Sequence, residues 1–131
     1  DAISLTSVLI TPNDCPLGSP LNIEMGFRAN REIKGASWDL KYMVDMASKR
    51  KLIALATSEP NSYQAGTDCK MMISSPGIDT SAFKPHHLAN AGLVVVTMLE
   101  EGKETVTINL VAQVTTRDGE LVRTVYSPLD E

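Results

Sequence analysis

Two stretches of this chain alternate apolar and polar residues with a period of two, and that period constrains the fold more than any other feature. Leu21, Ile23, Met25 and Phe27 alternate with Asn22, Glu24, Gly26 and Arg28; Trp38, Leu40, Tyr42 and Val44 alternate with Asp39, Lys41, Met43 and Asp45. Successive side chains of a strand point to opposite faces, so each stretch reads as a strand with one buried and one wet face. A third segment breaks the rule. Gly92 to Leu99 is apolar on both faces, and it turns through residues 100–103 into Glu104 to Val111, where Val106, Ile108 and Leu110 alternate with Thr105, Thr107 and Asn109. A strand that is apolar on both sides calls for a cover on each side.

Turn signals separate further strand candidates. Ile3 to Ile10 shows a shift of pattern near Ser7-Val8 and ends at Thr11-Pro12-Asn13-Asp14; Pro16 to Pro20 punctuates the next connection. Lys51 to Ala56 and Cys69 to Ser74 read as strands around a polar loop at Thr57 to Gly66. Thr80 to Ala91, with Pro85 inside it, suits a short helical turn ahead of the Gly92–Leu99 strand. Asp118-Gly119 is a type I′ hairpin signal leading into Leu121 to Tyr126. Counted together, these make about eight short strands with no helical period long enough to cross between parallel neighbours. The expectation is an all-β, immunoglobulin-like antiparallel sandwich over residues 1–131 as a single domain. Trp38 does not fall between cysteines spaced as in antibody domains, so no inter-sheet disulfide is expected.

Composition narrows the class. With 43% hydrophobic and 21% charged residues the chain is globular rather than disordered, and at 5% aromatics its core is expected to rest on Leu, Ile, Val and Met. The net charge of −4 argues against a direct nucleic-acid surface, which needs a clustered basic face. No run approaches the roughly 20 apolar residues needed to span a bilayer, and no signal-peptide pattern stands at the start. Cys15 and Cys69 fit no zinc spacing, which favours a reduced, intracellular protein, nuclear or cytoplasmic, with a Cys15–Cys69 bridge as the alternative.

The residues that carry chemistry do not converge. His86-His87 are adjacent and lack supporting ligands at metal spacing. No Gly-x-Ser-x-Gly elbow or glycine-rich phosphate loop occurs. Asp39, Asp45 and Glu100-Glu101 lie in wet surroundings that do not raise a carboxylate toward the catalytic range, and Asn13-Asp14 and Asp118 lack the acidic companions of a calcium site. No active site, metal or cofactor is expected.

What remains is the hairpin. Paired directly across Glu101-Gly102, Val106, Ile108 and Leu110 face Thr97, Val95 and Leu93 and form the core side. The outer side then carries Val94, Val96 and Met98 beside Thr105, Thr107, Asn109 and Val111, a patch without charges of the kind that marks a binding surface. The alternative is that residues 119–126 or Thr80–Ala91 fold over it.

The layout resembles the anti-silencing-function histone chaperone family. The resemblance is carried by Trp38-Asp39-Leu40-Lys41-Tyr42-Met43-Val44, by Ser75-Pro76-Gly77-Ile78-Asp79 through Leu88, and by Val94-Val95-Val96 with Gly102 at the turn. It implies an immunoglobulin-like sandwich with an acidic surface that binds the histone H3–H4 heterodimer and catalyses nothing. Counting from Gly102, the family's arginine and paired tyrosines correspond to Thr107, Leu110 and Val111, whereas Glu104 keeps the acidic residue after the turn. The expected function is therefore a non-enzymatic protein-interaction module, chaperone-like in its most specific form, with contact residues Val94, Val96, Met98, Glu104, Thr107, Asn109 and Val111. The alternatives are an adaptor or scaffold subunit of a larger assembly, and a sandwich that carries a lipid or prenyl group.

Overall fold

Alternating strands need a second layer against which to bury their apolar faces, and the chain supplies it by folding into two antiparallel sheets. A computed structural model describes residues 1–46 and 49–129, with nothing said of the Asn90 side chain; the expected domain limit at 131 lies outside the described residues. In chain order the elements are β1 (Ile3–Thr11), β2 (Cys15–Pro16), β3 (Leu21–Ala29), β4 (Ile33–Met46), β5 (Lys49–Thr57), β6 (Asn61–Tyr63), β7 (Asp68–Ser75), α1 (Pro85–Leu88), β8 (Asn90–Glu100), β9 (Lys103–Arg117) and β10 (Glu120–Val125). One sheet has three strands in the order β1-β3-β7; the other has seven, ordered β2-β10-β9-β8-β4-β5 with β6 paired to β4. The fold class is the sandwich-like all-β one expected, unclosed, with a helical turn ahead of β8. Ten strands rather than about eight are found among the described residues because β2 and β6 are only two and three residues long.

The alternation read from β3 and β4 holds residue by residue. Leu21, Ile23, Met25 and Phe27 are buried, and so are Trp38, Leu40, Tyr42 and Val44. Aromatic residues are scarce, yet the core expected to rest on Leu, Ile, Val and Met also includes Phe27, Trp38, Tyr42 and Tyr63. Phe27 packs 5.0 Å from Tyr63 in an edge-on arrangement and 5.6 Å from Trp38, centroid to centroid. The indole N–H of Trp38 donates to the Tyr63 hydroxyl at 3.2 Å. This contact satisfies the one polar atom that makes a buried tryptophan costly. Each such ring buries on the order of 150–250 Å², so a few of them fill the space between sheets where Leu and Val alone would leave gaps.

At one end of the sandwich a buried cation takes the place of a hydrophobic residue. Arg123 of β10 is fully buried on the inner face of the larger sheet. One terminal nitrogen of its guanidinium donates to the carbonyls of Leu17 and Ser19, both at 2.9 Å, and the other to those of Pro20 at 2.7 Å and Pro12 at 3.3 Å. Its Nε finds no partner among the described residues. The planar fork thereby gathers four carbonyls of the proline-rich segment 12–20. Asn13 adds a two-way bond to the Val125 backbone, and Leu17 N–H donates to Leu121 O at 2.9 Å. Cys15 and Cys69 are both free, one in each sheet.

Candidate functional site

The β8–β9 hairpin closes through Glu101 and Gly102, whose φ angles of 49° and 85° are those of a type I′ turn that only a glycine or an accommodating residue takes easily. Glu100 pairs with Lys103 and Leu99 with Glu104, as direct pairing requires. The next pair is Met98 with Val106, so Thr105 is an extra residue, a β-bulge. Beyond it the register is Thr97 with Thr107, Val96 with Ile108, Val95 with Asn109, Val94 with Leu110 and Leu93 with Val111.

One bulged residue reverses the faces expected from direct pairing, because a slip of one turns every side chain over. Val94, Val96 and Met98 are fully buried and point at the three-stranded sheet, together with Leu110. They do not belong to an outer surface. Thr107, Asn109 and Val111 do lie on the outer face of β9, exposed to solvent, and Glu104 is exposed next to the turn. The residues of β8 that join them are Leu93, Val95 and Thr97.

The outer face extends beyond the hairpin. Val111 of β9 is opposite Leu93 of β8, Leu93 is opposite Met43 of β4, and Met43 is opposite Leu52 of β5. Four neighbouring strands therefore carry one unbroken apolar row, roughly 14 Å from first to last strand at the usual inter-strand spacing. Its ends are open to water, with Leu52 59% and Val111 52% exposed. Beyond Val111, Tyr126 N–H donates to the Val111 carbonyl at 2.9 Å, and its ring lies exposed on the surface. Beside the row is a shallow groove of about 280 Å³ lined by Met43, Asp45, Arg50, Gly92, Leu93 and Val111. The neighbouring row runs Ala54, Lys41, Val95, Asn109. Of the segments expected as a cover, residues 120–125 instead form β10 within the same sheet, and α1 contacts β4 while Leu52 and Val111 at the two ends of the row remain exposed.

The floor of the groove has a steric signature. A side chain on Gly92 would collide with the Tyr42 ring and hydroxyl and with the Met43 carbonyl. Tyr42 is buried beneath, and that burial pushes its phenol up to about 12, so it stays neutral. The turn end of the hairpin is polar instead: Arg31 makes a paired contact with Glu100 and holds its carboxylate below the usual range. At the opposite end His87 is held below the ordinary imidazole value by partial burial and then by His86, Lys84 and Lys49. Among the described residues no group of three or more His, Cys, Asp or Glu side chains is placed to hold a metal ion. Nor is any helix long and apolar enough to cross a membrane.

Sequence reasoning placed Met43 on the wet face of its strand but missed Leu93, Val95, Leu52 and Tyr126. The exposed apolar Leu52 in a run headed by Lys49-Arg50-Lys51 was the one signal available.

The chain matches no known protein family and no curated protein in sequence. Its fold is similar to part of the Pseudomonas fluorescens alkylpurine DNA glycosylase AlkC, solved bound to DNA containing an abasic site analogue, with a TM-score of 0.52 and 17% identity over 82% of this chain and 29% of that one. It is also similar to the sporulation control protein Spo0M of Bacillus subtilis, with a TM-score of 0.50 and 12% identity over 83% of this chain and 48% of that one. The chain thus spans less than half the length of either neighbour, and at these identities the likeness is one of fold alone.

Proposed function

We propose that this domain is a non-enzymatic protein-interaction module and that its contact surface is the outer face of the seven-stranded sheet. The observation that carries the reading is the in-register row Leu52–Met43–Leu93–Val111, apolar across four strands and exposed at both ends. A monomeric surface has no need of such a row; a partner that removes it from water gains roughly 25 cal/mol for each Å² of apolar area. Charges of both signs flank it, Asp45 and Arg50 on one side and Lys41 on the other, which is the composition of a polar rim. The histone H3–H4 form of the reading draws its support from the net charge of −4 and from exposed Glu104 beside the turn.

The test is retention of partners by the immobilised domain, with purified H3–H4 as one sample and cell extract as the other, against the variants Leu93→Asp and Val111→Arg. Val111 is exposed and Leu93 half-buried on the outer face, so thermal unfolding of each variant is measured beside retention, and Val111→Arg should match the parent. Loss of retention in both variants supports the outer face. Equal retention by parent and variants overturns it, and failure of H3–H4 alone removes the histone form.

A further inference from the structure

Among the described residues the seven-stranded sheet ends in a strand with no ladder partner on its far side, although β7 of the other sheet packs near it. β5 is nine residues long, pairs with β4 and forms the terminal strand of its sheet. Such an edge presents unpaired backbone N–H and C=O groups to any extended chain, and natural edges are usually blunted along their length by lysines, prolines or bulges. β5 has one such bulge, at Leu55 between Ala54 and Ala56, and its charge is confined to one end. Lys49, Arg50 and Lys51 are consecutive and exposed, whereas Leu52 to Thr57 carries neither charge nor proline. Among the described residues none of the three cations is in salt-bridge contact, although Asp45 is the cross-strand neighbour of Arg50. Exposed Lys84 adds to the positive charge near Lys49. In a chain of net charge −4 this is a local reversal of sign.

We infer that β5 is a docking edge that takes an extended acidic segment of another protein as an added strand, its carboxylates over Lys49, Arg50 and Lys51. The backbone of Leu52 to Thr57, to either side of the bulge at Leu55, supplies the ladder hydrogen bonds of strand addition, and the cations fix direction and register. An antiparallel guest has its acidic residues at its C-terminal end, and a parallel guest has them at its N-terminal end. The inference rests on the protein-interaction reading and specifies its partner: Leu52 belongs both to the apolar row and to the edge, so the guest strand extends the outer face by one row position.

The probes are two fluorescent nine-residue peptides of alternating Thr and Val, one ending in three Glu and one beginning with them, plus copies N-methylated at alternate residues. One of the two orders is expected to bind, with new hydrogen-exchange protection at residues 52–57. Binding should weaken at least tenfold in the triple variant Lys49→Glu, Arg50→Glu, Lys51→Glu, and steeply with added salt. The N-methylated copies should not bind. Equal binding of the N-methylated copies overturns strand addition in favour of charge contact alone. Protection of 52–57 that follows protein concentration without peptide assigns the edge to a second copy of the chain and overturns the acidic guest. Binding of neither peptide also overturns it. In each case the Leu93→Asp and Val111→Arg variants report separately on the outer face, so loss of this proposal is distinguishable from loss of the wider one.

Discussion

Replacing Arg123 by methionine tests whether a buried cation held by backbone carbonyls is what closes one end of the sandwich. Its four N–H···O bonds reach carbonyls of residues 12 to 20, at 2.7 to 3.3 Å. Bonds from a charged donor contribute about 1.5–3 kcal/mol each, so roughly 6–12 kcal/mol is lost in gross terms. Against that stands the removed cost of burying the guanidinium, several kcal/mol, and about 1.5–3 kcal/mol gained by burying the methionine. Arg123→Met should therefore destabilise the domain by a net of about 3 kcal/mol, with water reaching some of the freed carbonyls. Urea unfolding followed by tryptophan fluorescence reads this as a midpoint lower by roughly 1–2 M at an ordinary slope. Hydrogen exchange should show the damage to be local, with the Leu17 amide losing protection while Leu40 and Val96 keep it. Arg123→Lys should do no better, because one ammonium with three donors cannot span the positions that two guanidinium nitrogens hold. A midpoint within about 0.5 M of the parent for Arg123→Met would refute the reasoning, since the carbonyls would then be satisfied without the fork.

The inside-out register of the hairpin makes a paired prediction: Val96→Ala should cost about 2 kcal/mol by loss of a fully buried valine, and Val95→Ala less than about 0.5 kcal/mol, both read from unfolding midpoints. Gly92→Ala should cost roughly 1–3 kcal/mol through collision with Tyr42, and Tyr42→Phe in the same chain should recover part of it by removing the nearest atom. Acid unfolding should report the Arg31–Glu100 contact. The folded carboxylate is depressed, so its stabilisation is complete above the ordinary value of 4.5 and fades as pH falls through the lower folded value; Glu100→Gln should flatten the stability profile below about pH 4.5 and leave it little changed in slope near neutrality.

What could be read before the structure was whatever is written in local pattern. The buried faces of β3 and β4 follow from strict alternation, and the Asp118-Gly119 turn from residues that tolerate positive φ, here 52° and 79°. The irregularity sensed near Ser7-Val8 is the bulge between Leu5 and Ser7. The faces of β8 could not be read this way, because Leu93 to Val96 is apolar at every position and offers no contrast from which to choose a side. The choice fell to the partner strand's register, and Thr105 looks like any other strand threonine. Arg123 was illegible for a different reason: its acceptors are backbone carbonyls more than 100 residues away, which no side-chain pattern encodes. The row from Leu52 to Val111 joins residues drawn from four strands, and it exists only once those strands are aligned.

The bulge at Thr105 also gives the hairpin a parity. With an odd residue between the turn and the ladder, Val94, Val96 and Met98 face inward; with that residue deleted, Leu93 and Val95 would take the interior while three fully buried side chains turned to water. Changes of one residue near this tip are thus forbidden steps, whereas changes of two preserve the assignment of inside and outside. A library of insertions and deletions between residues 100 and 106, selected for folding, should come back enriched in even changes of length. The composition of the interaction face is, in this sense, counted out by the turn rather than spelled by the strands.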